Sequence, residues 1–269
     1  MIPRLYVTAD LHANGVIATD ERATHYLRNV LRRQAGDPVV IFNGRDGEFE
    51  AEITALDKRA VQLRLARQKR AQDSVPDLWL CFAPLKKDAV DFLIEKATEL
   101  GVSAFRPVFT QHTAATRLNL DRLTANAIEA AEQTERLTLP DIHPPVSLDQ
   151  LLQDWPADRQ MILCAEAGPA LPIADALQRF TSAQDKSHLS DEKRSKPSRW
   201  AILCGPEGGF ARSELDRLNK LPFVTPVGLG PRILRADTAA LSALAIFQAV
   251  LGDGNLRPPP SMMPIGQGA

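Results

Sequence analysis

Four charged residues sit in two glycine-rich loops near the C-terminal end of this 269-residue chain. The first loop, Leu203-Cys204-Gly205-Pro206-Glu207-Gly208-Gly209-Phe210, carries Glu207. The second, Gly228-Leu229-Gly230-Pro231-Arg232-Ile233-Leu234-Arg235-Ala236-Asp237-Thr238, carries Arg232, Arg235 and Asp237. Glycine permits positive φ and lets a ligand approach the backbone closely. Two such loops at strand ends are the arrangement of a small-molecule site in an α/β sheet. The first loop is not a phosphate-binding loop, since no Lys-Ser/Thr follows it, and the spacing G-x-G-x-x-G is absent. A tight strand-to-helix turn remains the alternative for that loop alone. The second loop weighs against it, because a plain connector has no need of two arginines before a helix.

Each loop follows a short apolar run and precedes a helical pattern. From Leu78 onward strands and helices alternate, which predicts a mostly parallel sheet. Strands are expected at 78–83, 105–109, 161–165 and 200–204, and helices at 86–100, 120–136, 213–221 and 237–251. Gly101 is placed to end the first of these helices. The opening 70 residues read differently. Thr19-Asp20-Glu21 predicts a helix start and a helix over 20–34, followed by strand-like pieces at 39–42, 47–53 and 61–65. The turn dipeptides Asn43-Gly44 and Asp46-Gly47 separate the first two. One helix with several short strands predicts a small β-barrel. Residues 68–76 read as a linker. The expected division is therefore 1–72 and 73–252, with a disordered insertion at 183–199 and a flexible tail at 253–269.

Bulk properties bound the function. Apolar residues make up 44% of the chain and charged residues 24%, and the net charge of −1 gives no global pull toward nucleic acid. Any basic surface must be local. Residues 1–70 hold 12 Lys/Arg against 9 Asp/Glu, with Arg28, Arg32 and Arg33 close together. Three widely spaced cysteines and five histidines fit neither a disulfide framework nor a metal site, so no metal is expected. No stretch is apolar enough for a membrane span and no signal-peptide pattern opens the chain, which predicts a cytoplasmic protein.

Five segments together carry a family resemblance. The two glycine loops resemble the cofactor motifs of the SPOUT methyltransferases, and most closely the RsmE type, which methylates N3 of a uridine in 16S ribosomal RNA. His25-Tyr26-Leu27-Arg28-Asn29-Val30-Leu31-Arg32 is similar to the first helix of that family's PUA-like barrel. Glu95-Lys96-Ala97-Thr98-Glu99-Leu100-Gly101-Val102 and Glu129-Ala130-Ala131-Glu132-Gln133-Thr134-Glu135-Arg136 resemble two further signatures. The resemblance implies an α/β domain with a trefoil knot behind an RNA-binding PUA-like module, a homodimer, and the small-subunit rRNA or the subunit itself as substrate.

It also implies S-adenosylmethionine held between the loops. Leu203, Gly205, Glu207 and Gly208 would bind it from the first loop and Leu229, Gly230, Ile233 and Leu234 from the second. Ala165 to Gly168 would form a third wall. Arg235 would stabilise an anion on the uracil, and Asp237 or Glu207 would accept its proton. Arg28, Arg32, Arg33, Gln133, Arg136 and Arg232 would meet RNA. Two positions depart from the family pattern: Asp237 stands where glutamate is more usual, and Gln111-His112-Thr113 where the family often has a charged residue, arginine included. An N-cap role for Asp237 and a structural ion pair for Arg235 are the alternatives to chemistry. The competing functions are ribose 2′-O-methylation by the same fold and a non-catalytic RNA-binding ribosome-assembly factor.

Overall fold

The computed structural model describes residues 2–114, 117–165, 170–185 and 199–256. The N-terminal sheet comprises β1 (Arg4–Tyr6), β2 (Val16–Ala18), β3 (Pro38–Phe42), β4 (Glu48–Leu56) and β5 (Val61–Arg70), in the order β1-β3-β4-β5-β2. Its interior is one apolar cluster including Leu5, Ile17, Leu27, Ile41, Ile53 and Leu63. Asp20 caps α1 (Glu21–His25) by accepting from the Ala23 N–H at 2.7 Å.

The expected helix over 20–34 is shorter than its pattern. After His25 it widens into a π-helical turn at Tyr26–Val30, with the Leu31 N–H bonded five residues back to the Tyr26 carbonyl. Arg32 then takes φ +52° and the helix is over. Arg28 is thus on the wide turn, and Arg32 and Arg33 follow it instead of sharing one helix with it. Strand β5 also extends into the expected linker, because Arg70 pairs with Glu48 and Gln68 with Phe49 across the ladder.

The second sheet holds β6 (Leu78–Phe82), β7 (Ala104–Phe109), β8 (Asp141–Ile142), β9 (Val146–Ser147), β10 (Arg159–Cys164), β11 (Leu171–Pro172), β12 (Arg199–Cys204) and β13 (Val224–Gly228). The order is β11-β13-β10-β12-β6-β7-β8, with β9 also on β7. Every pairing in it is parallel. Its helices are α2 (Lys87–Glu99), α3 (Leu120–Gln133), α4 (Leu148–Gln153), α5 (Ile173–Asp185), α6 (Arg212–Leu218) and α7 (Ala236–Val250). Parallel strands covered on both faces read as continuous apolar runs, and period-two alternation assigns each side chain to a layer. Leu80, Phe82, Ile162, Ile202 and Cys204 pack with α2, α3, α5 and α7. Cys81, Met161, Leu163, Ala201 and Leu203 pack with α4 and α6.

Helix α3 stops at Gln133, short of the expected Arg136. The Thr134 hydroxyl donates to the Ala130 carbonyl at 2.7 Å, and Glu135 turns to φ +59°. The expected insertion at 183–199 is helix as far as Asp185 and strand at Arg199. Its remainder, and the tail beyond residue 256, lie outside the described residues.

Candidate functional site

The carboxyl ends of β10, β12 and β13 open into a cavity of about 470 Å³. This is where an open α/β sheet places ligands, and the volume falls in the usual range of about 300–1,000 Å³ for small-molecule sites. Cys164 and Cys204 form its floor, and the two glycine loops form opposing walls. Leu215 of α6 and the first turn of α7 complete the lining.

Gly205 and Gly230 show why these loops need glycine. At Gly205 a Cβ would lie 2.8 Å from the Phe210 ring, so the ring keeps its place against the loop only where position 205 has no side chain. Gly230 has φ +104°, which L-residues rarely adopt.

The expected cofactor residues divide. Gly205, Gly208, Leu229, Gly230, Ile233, Leu234 and Ala165 line the cavity, and so does Arg232, which was expected at RNA. Ile233 is 87% exposed, so it stands at the mouth. The Leu203 side chain is fully buried on the α4/α6 side of the sheet, because strand parity sends Cys204 toward the cavity and Leu203 away, which leaves only its backbone for the cofactor. Glu207 is exposed and its side chain is not part of the lining. Glu166, Ala167 and Gly168 lie outside the described residues.

Cys164, Cys204, Phe210 and Leu215 are among the lining residues that sequence reading missed. The signal was present in the parity of the strands, since Cys164 and Cys204 end the same alternation as Ile162 and Ile202. A hydrogen bond to Cys164, together with burial, pushes the Cys204 thiol well above the usual range.

The charged residues of the second loop sit at its rim. Arg235 is exposed and is itself the N-cap position of α7. Its guanidinium has no hydrogen bond or ion pair among the described residues, so the structural-pair alternative has no partner there. Asp237 lies two positions into the helix. Its carboxylate accepts from the Thr238 N–H at 2.7 Å and the Thr238 hydroxyl at 3.3 Å. It therefore serves the first turn of the helix without being its N-cap.

The turn after β7 braces the first loop. Gln111 N–H donates to Glu214 Oε1 and Ala211 N–H to Glu214 Oε2, both at 2.9 Å. His112 Nδ1 donates to the Gly209 carbonyl at 3.1 Å. The departure at Gln111-His112-Thr113 thus falls on a segment that holds the cavity wall.

The expected RNA residues are dispersed. Arg28 is half-buried and Arg32 exposed, while Arg33 faces Asp37 at 3.9 Å. Gln133 is exposed at the end of α3. Arg136 is committed elsewhere. Its guanidinium donates to the carbonyls of Thr98 at 2.7 Å and Val102 at 2.6 Å, and to the Thr138 hydroxyl at 3.0 Å. Burial pushes it down to about 10. It closes the C-terminal end of α2 and is not available to phosphate in this structure.

Among the described residues no group of three or more His, Cys, Asp or Glu could hold a metal ion. No described helix is long and apolar enough to cross a membrane.

The cavity's lining fits S-adenosylmethionine. Phe210, Leu215, Leu229 and Leu234 supply apolar surface for a flat ring, and the bare backbones of Gly208, Gly228 and Gly230 supply polar groups.

Comparison with known proteins bears on the same regions. A family model described as an RNA methyltransferase domain matches residues 72–248, and one described as an RNA methyltransferase PUA domain matches residues 19–66. The ribosomal RNA small subunit methyltransferase E of Rickettsia conorii is 32% identical, across 90% of this chain and 93% of its own length. The protein of the same name from Synechocystis is 30% identical, across 93% and 78%. A Legionella pneumophila protein solved in complex with bound SAM superposes with a TM-score of 0.78 at 26% identity, over 94% of this chain and 99% of that one. The chain belongs to the RNA methyltransferase family, and within it to the ribosomal RNA small subunit methyltransferase E type that its five segments resemble.

Proposed function

We propose that the protein transfers a methyl group from S-adenosylmethionine to N3 of a uridine in 16S rRNA of the small ribosomal subunit. The observation that carries this reading is the cavity at the carboxyl ends of β10, β12 and β13, walled by both glycine loops in a chain of this family. The same reading has two copies of the chain acting together in the cytoplasm, with a trefoil knot in each C-terminal domain.

When bound, S-adenosylmethionine supplies an electrophilic methyl group on a sulfonium. The chain supplies the rest. Uracil N3 is an imide nitrogen whose lone pair is delocalised into two carbonyls, so it attacks only after losing its proton. The Arg235 guanidinium, unpaired among the described residues and beside the lining residues Leu234 and Ala236, stabilises the negative charge then spread over O2 and O4. Of the two carboxylates, Asp237 is already committed to the Thr238 N–H. Glu207 has no hydrogen bond among the described residues, and is the carboxylate free to accept the N3 proton, directly or through water. Arg232 at the mouth holds RNA phosphate, as do Arg28 and Arg32 on the N-terminal module.

The test is nucleoside analysis by mass spectrometry after incubating the protein and S-adenosylmethionine with unmodified small subunits and with free 16S rRNA. The expected product is 3-methyluridine. A 2′-O-methylated nucleoside would replace this reading with ribose methylation. Absence of S-adenosylmethionine binding in calorimetry would leave only the non-catalytic assembly factor.

A further inference from the structure

Helix α3 has 14 residues and no basic residue in its own last turn. The final carbonyls of a helix lack intrahelical partners and carry the negative end of the helix dipole, so they attract cations. Here the cations come from the N-terminal module. Arg4 Nη1 donates to the Ala131 carbonyl at 2.6 Å and Arg4 Nη2 to the Arg136 carbonyl at 2.7 Å. Arg70 Nη2 donates to the Glu135 carbonyl at 2.7 Å.

Both arginines are held by a single carboxylate. Glu48 is 1% exposed, and its Oε1 accepts from Arg4 Nε at 2.6 Å. Arg70 bonds it twice, at 2.9 Å through each of Nε and Nη2, and Lys69 lies 3.5 Å away. The charge gathered around this buried anion is offset because carbonyls in and just past the last turn of α3 take further N–H groups of Arg4 and Arg70. A second tie runs alongside, where Glu132 of α3 accepts from the Tyr6 N–H at 2.9 Å and from Arg22 at 2.8 Å.

The chain of bonds continues past the interface. Arg136, whose carbonyl receives Arg4, sends its own guanidinium to Thr98 and Val102 at the end of α2. The two signature segments, 95–102 and 129–136, are therefore joined to each other and to the N-terminal sheet by side-chain-to-backbone bonds. Neither segment lines the cavity.

We propose that Glu48 is a positioning residue for the methyl transfer. By orienting Arg4 and Arg70 onto the end of α3, it fixes the RNA-holding sheet at one angle to the cofactor cavity. This rests on the activity proposed above. A uridine held by the N-terminal module reaches the cavity only if the two bodies keep a fixed geometry, and misplacement by about 1 Å can cost about 100-fold in rate.

The test uses the full-length chain with Glu48→Gln, which keeps the shape but removes the charge. It also uses Arg4→Lys, which loses the fork onto Ala131 and Arg136 while Arg70 and Lys69 still neutralise Glu48. Arg4→Lys answers the question if Glu48→Gln fails to fold. For each, kcat and KM with unmodified 16S rRNA, the S-adenosylmethionine dissociation constant, and hydrogen exchange at the Tyr6 amide are measured. The expected result is a fall of tenfold or more in kcat/KM for RNA, faster exchange at Tyr6, and cofactor affinity within twofold of the parent. Unchanged kcat/KM in an active parent background overturns the proposal, and so does a parallel loss of cofactor affinity, which marks general damage. An inactive parent instead overturns the activity reading, an outcome visible before any variant is compared.

Discussion

Cys164 and Cys204 stand opposite one another on neighbouring parallel strands, register partners at the floor of the cavity. Nothing larger than a thiol reaches up from either position, which leaves the floor low. Cys164→Leu adds volume there and is expected to weaken S-adenosylmethionine binding about tenfold, in line with the roughly 1–3 kcal/mol cost of overpacking a filled site. Titration calorimetry measures it; an unchanged dissociation constant would mean the cofactor sits clear of the floor.

Arg136 donates two charge-assisted bonds to backbone carbonyls. Arg136→Ala is expected to lower stability by about 3–6 kcal/mol, since two such bonds contribute roughly 1.5–3 kcal/mol each and leave carbonyls unpaired when removed. Gln133→Ala, at an exposed position in the same signature, should stay within about 0.5 kcal/mol. Urea unfolding separates them. Equal stability for both would return Arg136 to the RNA surface.

Arg235→Ala should reduce kcat about 100- to 1,000-fold, the range for losing one donor that stabilises developing negative charge. Cofactor affinity should change less than threefold, because the guanidinium is exposed at the rim. Single-turnover kinetics with saturating rRNA provide the rate. Comparable losses in affinity and rate would assign Arg235 to binding.

Glu48 links stability to pH. Burial by itself would push its carboxyl up, but the hydrogen bonds and charges of Arg70 and Arg4 hold it below the usual value. A folded-state value below the unfolded one gives stability that is complete above about pH 4.3 and is lost as pH falls through the folded value. Denaturant midpoints taken from pH 7 down to pH 3 should therefore fall more steeply for the parent than for Glu48→Gln. Parallel acid limbs would show that Glu48 contributes no linkage.

Arg28 and Arg32 are tested by salt. Removing both should flatten the dependence of log affinity for rRNA on log salt by a slope of about 1–2, with weaker binding at low salt. Fluorescence anisotropy at several salt concentrations reads the slope. An unchanged slope would exclude both from the RNA face.

The parallel sheet, the helices on it and the cavity between the glycine loops were all legible from residue patterns, because period-two runs and glycines at strand ends are local signals. The resemblance added the family and the cofactor. What escaped was set by tertiary geometry. Strand parity puts Leu203 and Cys204 on opposite faces, but only the sheet's covering helices determine which face opens to the cavity. Arg136 resembles a surface arginine until α2 is packed beside it. Strands β1 and β2 are three residues each, too short for a pattern, and the wide turn at Tyr26–Val30 mimics an ordinary helix in its spacing.

The borrowed cations at the end of α3 also constrain how such chains can diverge. Arg4 reaches carbonyls 127 and 132 residues further along the chain. A recombinant that exchanged its first 70 residues for an unrelated RNA-binding sheet would lose Arg4, Glu48 and Arg70 together and leave a polar helix end with nothing to seat on it. The two halves of this chain thus form a matched set, and a graft is expected to succeed only if the donor brings its own arginines to that helix.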